Sequence, residues 1–120
     1  MGSVLVVDGA NVVGSVPDGW WKDRPGAARR LHERLLVADT SYDEIVLVLE
    51  GQAKGGVRAG RDGHVTTVHA PGDGDAEIRA QARRATGAGA AVTVVTADRM
   101  LAANVSLAQV LSPSWLLDRL

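Results

Sequence analysis

Short apolar runs rich in β-branched residues alternate along this chain with longer stretches of helical character. Five such runs occupy 4–7, 45–49, 64–68, 92–95 and 107–111. Most of them alternate little between apolar and polar residues, which is typical of strands buried on both faces of a parallel sheet. Parallel neighbours need crossover helices. The pattern therefore predicts an open, three-layer α/β domain with a mostly parallel sheet of four to five strands.

Two of the intervening stretches have helical periodicity. In 24–38, which Asp23 is placed to cap, small and aliphatic residues recur on one face, at Ala28, Leu31, Leu35 and Ala38. A second helix is expected over about 74–85, with its core face at Ile78, Ala82 and Ala85. Short helices are expected after Asp98 and Ser112.

Length and composition favour one ordinary globular domain. The chain has 120 residues, and we expect a single domain over 1–120. It contains no Cys, which excludes disulfides, thiolate zinc sites and cysteine nucleophiles. No apolar run approaches the ~18 residues of a membrane span, and the first residues lack the pattern of a secretory signal. The expected compartment is the cytoplasm, with no membrane partner.

Basic residues are concentrated in the middle of the chain, although the net charge is only −1. Local basic surface binds phosphate even when the total charge is near zero, whereas each patch alone is also explained as a solvated helix face. Segment 51–63 holds five glycines and the cations Lys54, Arg58 and Arg61. We interpret it as a loop, either a flexible connection or a mobile basic flap over a polyanion.

Acidic residues follow the predicted strands. Asp8, Glu50 and Asp98 come at or shortly after the ends of three of them, and Asp73 and Asp75 follow another. Each acid alone is explained as a turn or a helix cap, but the carboxyl ends of parallel strands meet at one edge of the sheet. Carboxylates about 4 Å apart repel by roughly 1–4 kcal/mol per pair. A compensating cation is therefore expected, and hard oxygen ligands favour Mg²⁺ or Mn²⁺.

The second helix distinguishes between Asp73 and Asp75. Asp75 lies three residues before Ile78, at the core-side margin of the helix, where its carboxylate leans over the sheet edge. Asp73 precedes the helix and serves either as its cap or as an outer ligand. We therefore prefer Asp75 as the metal ligand and keep Asp73 as the second choice.

Four segments in order resemble the NYN domains of the PIN-like nuclease superfamily, especially the YacP-like group. They are VLVVDGANVVG at 4–14, IVLVLEG at 45–51, GDAEIRAQA at 74–82 and VTVVTAD at 92–98. The resemblance spans nearly the whole chain. It implies a Rossmann-like PIN fold and an endoribonuclease that cleaves RNA phosphodiester bonds with water activated by Mg²⁺ or Mn²⁺.

The resemblance also implies roles for single residues. Asp8, Asp75 and Asp98 match the acidic metal-site residues of the family. Asn11 matches its polar residue after the first strand, and Thr96 matches the hydroxyl before the last acid. Glu50 departs from the pattern, because it stands where an Asp usually ends the second strand, and its longer side chain places the carboxylate further out.

Contacts to RNA are expected from the cations of segment 51–63, from Arg99 beside Asp98 and from Trp20. The ring of Trp20 either stacks on a base or packs over the start of the first long helix. A ribosomal or RNA-processing partner is implied by the resemblance alone. The tail with Trp115, Leu116 and Leu120 forms either a homodimer contact or the end of the core.

Two other functions remain open. The first is a non-catalytic relative that holds RNA or a nucleotide in the same crevice, although a mere binder gains nothing from acids near phosphate. The second is a Toprim-like phosphotransfer domain, with Glu50 as its glutamate and Asp73 and Asp75 as its Asp-x-Asp pair. This reading leaves Asp8 and Asp98 without a role.

Overall fold

A computed structural model describes residues 2–105 and 108–120, and its centre is a six-stranded sheet. The strands are β1 (Ser3–Asp8), β2 (Glu44–Leu49), β3 (Gly60–Asp62), β4 (Val65–His69), β5 (Ala91–Val95) and β6 (Gln109–Leu111). Their order across the sheet is β3-β4-β2-β1-β5-β6, and every neighbouring pair is parallel except β3 with β4. This confirms the predicted α/β class with a mostly parallel sheet.

Helices cover both faces of the sheet. They are α1 (Gly9–Gly14), α2 (Arg24–Val37), α3 (Gly74–Gly87), α4 (Arg99–Ala103) and α5 (Pro113–Leu117), with 3₁₀ helices at Trp20–Lys22 and Gly51–Gly56. Asp23 caps α2 by accepting from the Gly26 N–H, as the sequence predicts. Within the described part of the chain, no helix is long and apolar enough to cross a membrane.

The central strand β1 shows why the apolar runs lack alternation. Leu5 and Val7 belong to the core beneath α1, α2 and α5, while Val4 and Val6 belong to the core beneath α3 and α4. Both faces of β1 are buried, so the four positions from Val4 to Val7 are all apolar. Each such side chain contributes about 1.5–3 kcal/mol through removal from water. These two cores hold the sheet edge, and the side chains on it, in place.

The topology creates a crevice at the carboxyl end of β1. The chain passes from β1 through α2 to β2, and later returns through α3 to β5 on the other side of β1. The connections therefore leave β1 and β5 toward opposite faces of the sheet. In open α/β sheets, ligands bind at such a point of reversal.

Segment 51–63 is not the loop that its five glycines predict. It forms the 3₁₀ helix Gly51–Gly56 and the edge strand β3, which raises the strand count from the expected four to five to six. Lys54 Nζ donates to the Ala70 carbonyl at 3.0 Å, and the His69 ring nitrogen Nε2 lies 2.7 Å from the Val57 carbonyl. The segment is therefore attached at several points to β4 and to the residues after it.

Three further stretches can be compared with the sequence predictions: the residues between β1 and α2, the fifth predicted strand and the tail. The residues between β1 and α2 are not simply a loop, because they include α1 and the 3₁₀ turn at Trp20. The fifth predicted strand begins at position 107, which lies outside the described residues, and β6 is observed from Gln109. At the tail, Leu116 is fully buried, and Trp115 and Leu120 pack against the same core.

Candidate active site

Asp8 is the last residue of β1 and the N-cap of α1, so it lies at the carboxyl edge of the sheet. Its carboxylate accepts the Asn11 backbone N–H at 3.3 Å and the Thr96 hydroxyl at 2.8 Å. Asp8 is only 4% exposed. Burying a carboxylate is unfavourable unless it is hydrogen-bonded, and these two donors explain how the fold tolerates it there.

Thr96 and Asn11 bind the ends of β1 and β5 together. The Thr96 oxygen donates to Asp8 and also accepts from the Asp98 N–H at 3.1 Å. The Asn11 side-chain oxygen accepts the Ala97 N–H at 2.9 Å. Since Ala97 offers a donor, the amide of Asn11 must present its oxygen there, which directs its NH₂ group elsewhere. Both residues thus lie beside the acids, as the sequence predicts.

Asp98 is the N-cap of α4 and follows the end of β5, next to the end of β1. Its Oδ1 accepts the backbone N–H groups of Met100 at 2.9 Å and Leu101 at 3.1 Å. The described contacts leave Oδ2 without a protein donor. Oδ1 therefore caps the helix, while the charge of the carboxylate acts on Asp8 and Asp75.

Asp75 enters the cluster from the first turn of α3. Burial raises its pKa above the ordinary value of an aspartate, and the negative charges of Asp98 and Asp8 add to this effect. Asp73 instead caps the same helix, accepting the Ala76 N–H at 3.0 Å, and is exposed. Asp73 thus has the capping role that the sequence left open for it, and Asp75 as the metal ligand stays a prediction.

Glu50 has a contact that the sequence did not predict. Its Oε2 accepts the backbone N–H of Gly74, the first residue of α3, at 2.7 Å. A carboxylate at this position favourably meets the positive end of the helix dipole. Glu50 therefore anchors the start of α3 and, with it, Asp75 against the end of β2.

Burial and the neighbouring acids both affect the pKa of Asp8. Burial is the largest cause of its raised pKa; the hydrogen bonds from Thr96 and Asn11 partly offset it, and the charges of Glu50 and Asp98 raise it further. Asp8, Glu50, Asp75 and Asp98 come from four separate parts of the chain. Their charges act on one another across a single crevice.

The four acids of the crevice suit a hard divalent cation, because each of them offers carboxylate oxygens as ligands. Their arrangement is not that of a preformed cage. Across residues 2–105 and 108–120, no three His, Cys, Asp or Glu side chains stand close enough together to hold a metal ion. A bound cation would therefore have to draw the carboxylates inward.

The predicted RNA-binding residues are scattered. The Lys54 ammonium is held by the Ala70 carbonyl. Arg61 lies 3.5 Å from Glu44, at the amino end of β2, and so is directed away from the acidic edge. Arg58 lines a separate polar cavity with Arg61. Arg99 is exposed next to Asp98, and Trp20 is half-buried near the crevice.

The fold is a three-layer α/β domain with a mostly parallel sheet. No protein-family model matches the chain, and no curated protein matches it. Among solved structures, a crystal structure of a mutant of Rae1 (YacP) from Bacillus subtilis is similar to it, with a TM-score of 0.64 and 18% sequence identity. The similarity covers 97% of this chain and 73% of that chain. At this identity the likeness establishes the fold.

The raised pKa of Asp8 predicts how stability depends on pH without divalent metal. Between the unfolded and folded pKa values, the folded state binds more protons than the unfolded state, so the free energy of unfolding falls as pH rises. Asp8→Asn removes this loss. We expect the variant to melt above the parent at pH 7 in EDTA, and the difference to shrink as the pH is lowered toward 4 in calorimetric scans.

The control for this measurement is Asp62→Asn, an exposed position on β3. Its melting temperature should follow that of the parent throughout the same pH range. If the difference in melting temperature between Asp8→Asn and the parent stayed constant with pH, the pKa of Asp8 would not be raised in the folded state.

Proposed function

We propose that the chain is a metal-dependent ribonuclease that hydrolyses RNA phosphodiester bonds at the acidic edge of its sheet. The observation that carries the proposal is the grouping of Asp8, Asp75 and Asp98 at one edge of the sheet, where burial, and after it the charges of neighbouring acids, raises the pKa values of Asp8 and Asp75. Burial without a counter-charge is unfavourable for stability. A fold that retains such a cluster has a use for it, and a divalent cation supplies the missing charge.

The carboxylates of Asp8, Asp75 and Asp98 would hold the cation, with the second oxygen of Glu50 as a further ligand. When bound, Mg²⁺ or Mn²⁺ lowers the pKa of a coordinated water and offsets negative charge on the phosphate. The choice of RNA as substrate rests on the YacP-like resemblance of the sequence and on the fold shared with a YacP protein.

The remaining residues orient the site. The Thr96 hydroxyl fixes the rotation of the Asp8 carboxylate by donating to Oδ2, and such outer contacts are typical of metal-binding carboxylates. The NH₂ group of Asn11, whose oxygen is occupied by Ala97, is placed to donate to a phosphate oxygen. Arg99, exposed beside Asp98, offers a cation to the next phosphate along the strand.

Metal binding has a direct thermodynamic test. A ligand that binds only the folded state raises the free energy of unfolding, by about 2.7 kcal/mol when its concentration is 100 times its Kd. The melting temperature rises accordingly. We expect millimolar Mg²⁺ or Mn²⁺ to raise the melting temperature of the unmodified protein and to leave that of the double variant Asp8→Asn/Asp98→Asn unchanged. Asp62→Asn should respond like the parent.

A second candidate function is a non-catalytic module that holds RNA or a nucleotide in the same crevice. The observation in its favour is that, in the described ranges, no three acidic side chains are assembled at metal-binding distance. No melting shift with either metal, together with no cleavage of a fluorogenic RNA, would select this function. A ribosomal or RNA-processing partner and a homodimer remain predictions.

A further inference from the structure

A cavity of about 440 Å³ lies beside the acidic edge. Its wall includes Glu50, which also belongs to the acidic cluster, and Gly9, the residue after Asp8, so the cavity adjoins the cluster. The volume falls within the ~300–1,000 Å³ typical of small-ligand sites. The cavity is therefore large enough for a group attached to whatever binds at the carboxylates.

Bare backbone forms part of the cavity wall. Gly51 and Gly72 both line it, and a Cβ built on either residue would meet no other atom within 4 Å. Larger side chains at these two positions would project into open space. Like Glu50, the two glycines belong to the lining of the cavity, and they contribute no side chain to it.

An aromatic side chain also lines the cavity. Trp20 lines the cavity together with the apolar side chains of Val13 and Ala53, and the Arg24 guanidinium lies 5.5 Å from the centre of the Trp20 ring. In the described part of the chain, Arg24 has no carboxylate partner. The guanidinium lies over the ring, and an aromatic side chain combined with an arginine is typical of sites that stack nucleic-acid bases.

We propose that this cavity takes one nucleobase of the substrate strand, the base next to the phosphate at the acidic edge. The inference rests on the proposed function for its substrate class. A phosphate fits the cavity poorly, because Glu50 places a negative charge in the wall and balances Arg24. A base is neutral and flat, so it gains from the Trp20 ring without opposing Glu50.

The test uses two small molecules, each of which represents one part of a nucleotide. Adenosine carries a base without phosphate, and ribose 5-phosphate carries the phosphate without a base. Both are titrated in EDTA against the isotope-labelled, unmodified protein, and the indole N–H signal of Trp20 and the amide signal of Gly72 are followed by NMR. We expect adenosine to shift both signals with a Kd on the order of millimolar, and ribose 5-phosphate to leave them in place.

Variants locate the binding. Trp20→Ala should weaken adenosine binding by about 10-fold or more, as expected for the loss of one stacking face. Gly72→Leu, which adds a large side chain to the cavity wall, should do the same, and this keeps the test valid if Trp20→Ala fails to fold. Trp21→Ala is the matched control, since Trp21 is 56% exposed and does not line the cavity. Gly87→Leu is the control for Gly72→Leu, because its Cβ also meets open space.

The outcomes separate this inference from the proposed function. Equal shifts with ribose 5-phosphate, or unchanged adenosine binding in both Trp20→Ala and Gly72→Leu, would overturn the base site even if RNA is cleaved. Adenosine binding that needs Trp20 supports the base site even if no RNA is cleaved, because the titration requires neither metal nor catalysis.

Discussion

Asp8→Asn is expected to lower the rate of RNA cleavage by at least about 100-fold while leaving the fold intact. Substituting even an outer partner of a metal ligand typically costs 10- to 100-fold, and the proposal makes Asp8 a direct ligand. Asparagine is as good an N-cap as aspartate, so its oxygen can still accept the Asn11 N–H at the start of α1. Loss of activity with retained stability is therefore the signature of a catalytic carboxylate.

The measurement is the initial rate on a fluorogenic RNA in Mn²⁺, with folding checked by circular dichroism. Asp98→Asn should behave in the same way, because asparagine also caps α4. Asp62→Asn, on the exposed edge strand β3, removes an equal charge far from the crevice and should cleave at the parent rate. Cleavage by Asp8→Asn at the parent rate would show that the hydrolysis occurs elsewhere.

The positions of Asp8 and Asp98 at the sheet edge were predictable because each acid follows an apolar run closely in the sequence. Asp8 directly follows an apolar run, and Asp98 comes three residues after another, so any parallel sheet places both at its carboxyl edge. The choice of Asp75 over Asp73 followed from helical spacing alone. What the sequence did not predict is the bond between Glu50 and the Gly74 N–H, since no local pattern links the end of β2 to the start of α3.

The cavity beside the site is a similar case. Trp20, Gly51 and Gly72 come together only through the folded topology, and none belongs to a motif that relates it to the others. The sequence left Trp20 with two roles, stacking or packing. The structure places Trp20 in the wall of a cavity beside the acidic edge, and no periodicity or capping rule encodes that position.

Segment 51–63 was misjudged for a physical reason. Five glycines disfavour regular structure, since glycine loses the most conformational entropy on ordering. Here one of them, Gly56, allows tight packing instead. A Cβ built on Gly56 would overlap the Pro25 carbonyl oxygen and lie 2.7 Å from the Pro25 carbonyl carbon, whereas one built on Gly55 lies 3.9 Å from the Pro25 ring.

Gly56→Ala is therefore expected to lower the free energy of unfolding by about 3 kcal/mol, at the upper end of overpacking changes. For a domain of this size the melting temperature should fall by roughly 10 °C. The neighbouring atoms are backbone atoms of α2, which cannot move aside as a flexible side chain does. The 3₁₀ helix Gly51–Gly56 must move off α2 instead, losing the contacts that hold it.

Gly55→Ala is the matched control, one residue earlier in the same 3₁₀ helix. Its methyl group meets the Pro25 ring at an ordinary contact distance, so its free energy of unfolding should stay within about 0.5 kcal/mol of the parent. Calorimetry of both variants separates the close approach at Gly56 from the general effect of replacing glycine. Equal melting temperatures for the two would mean that the segment is the free loop its composition predicts, and that the contact between Gly56 and Pro25 contributes nothing to the fold.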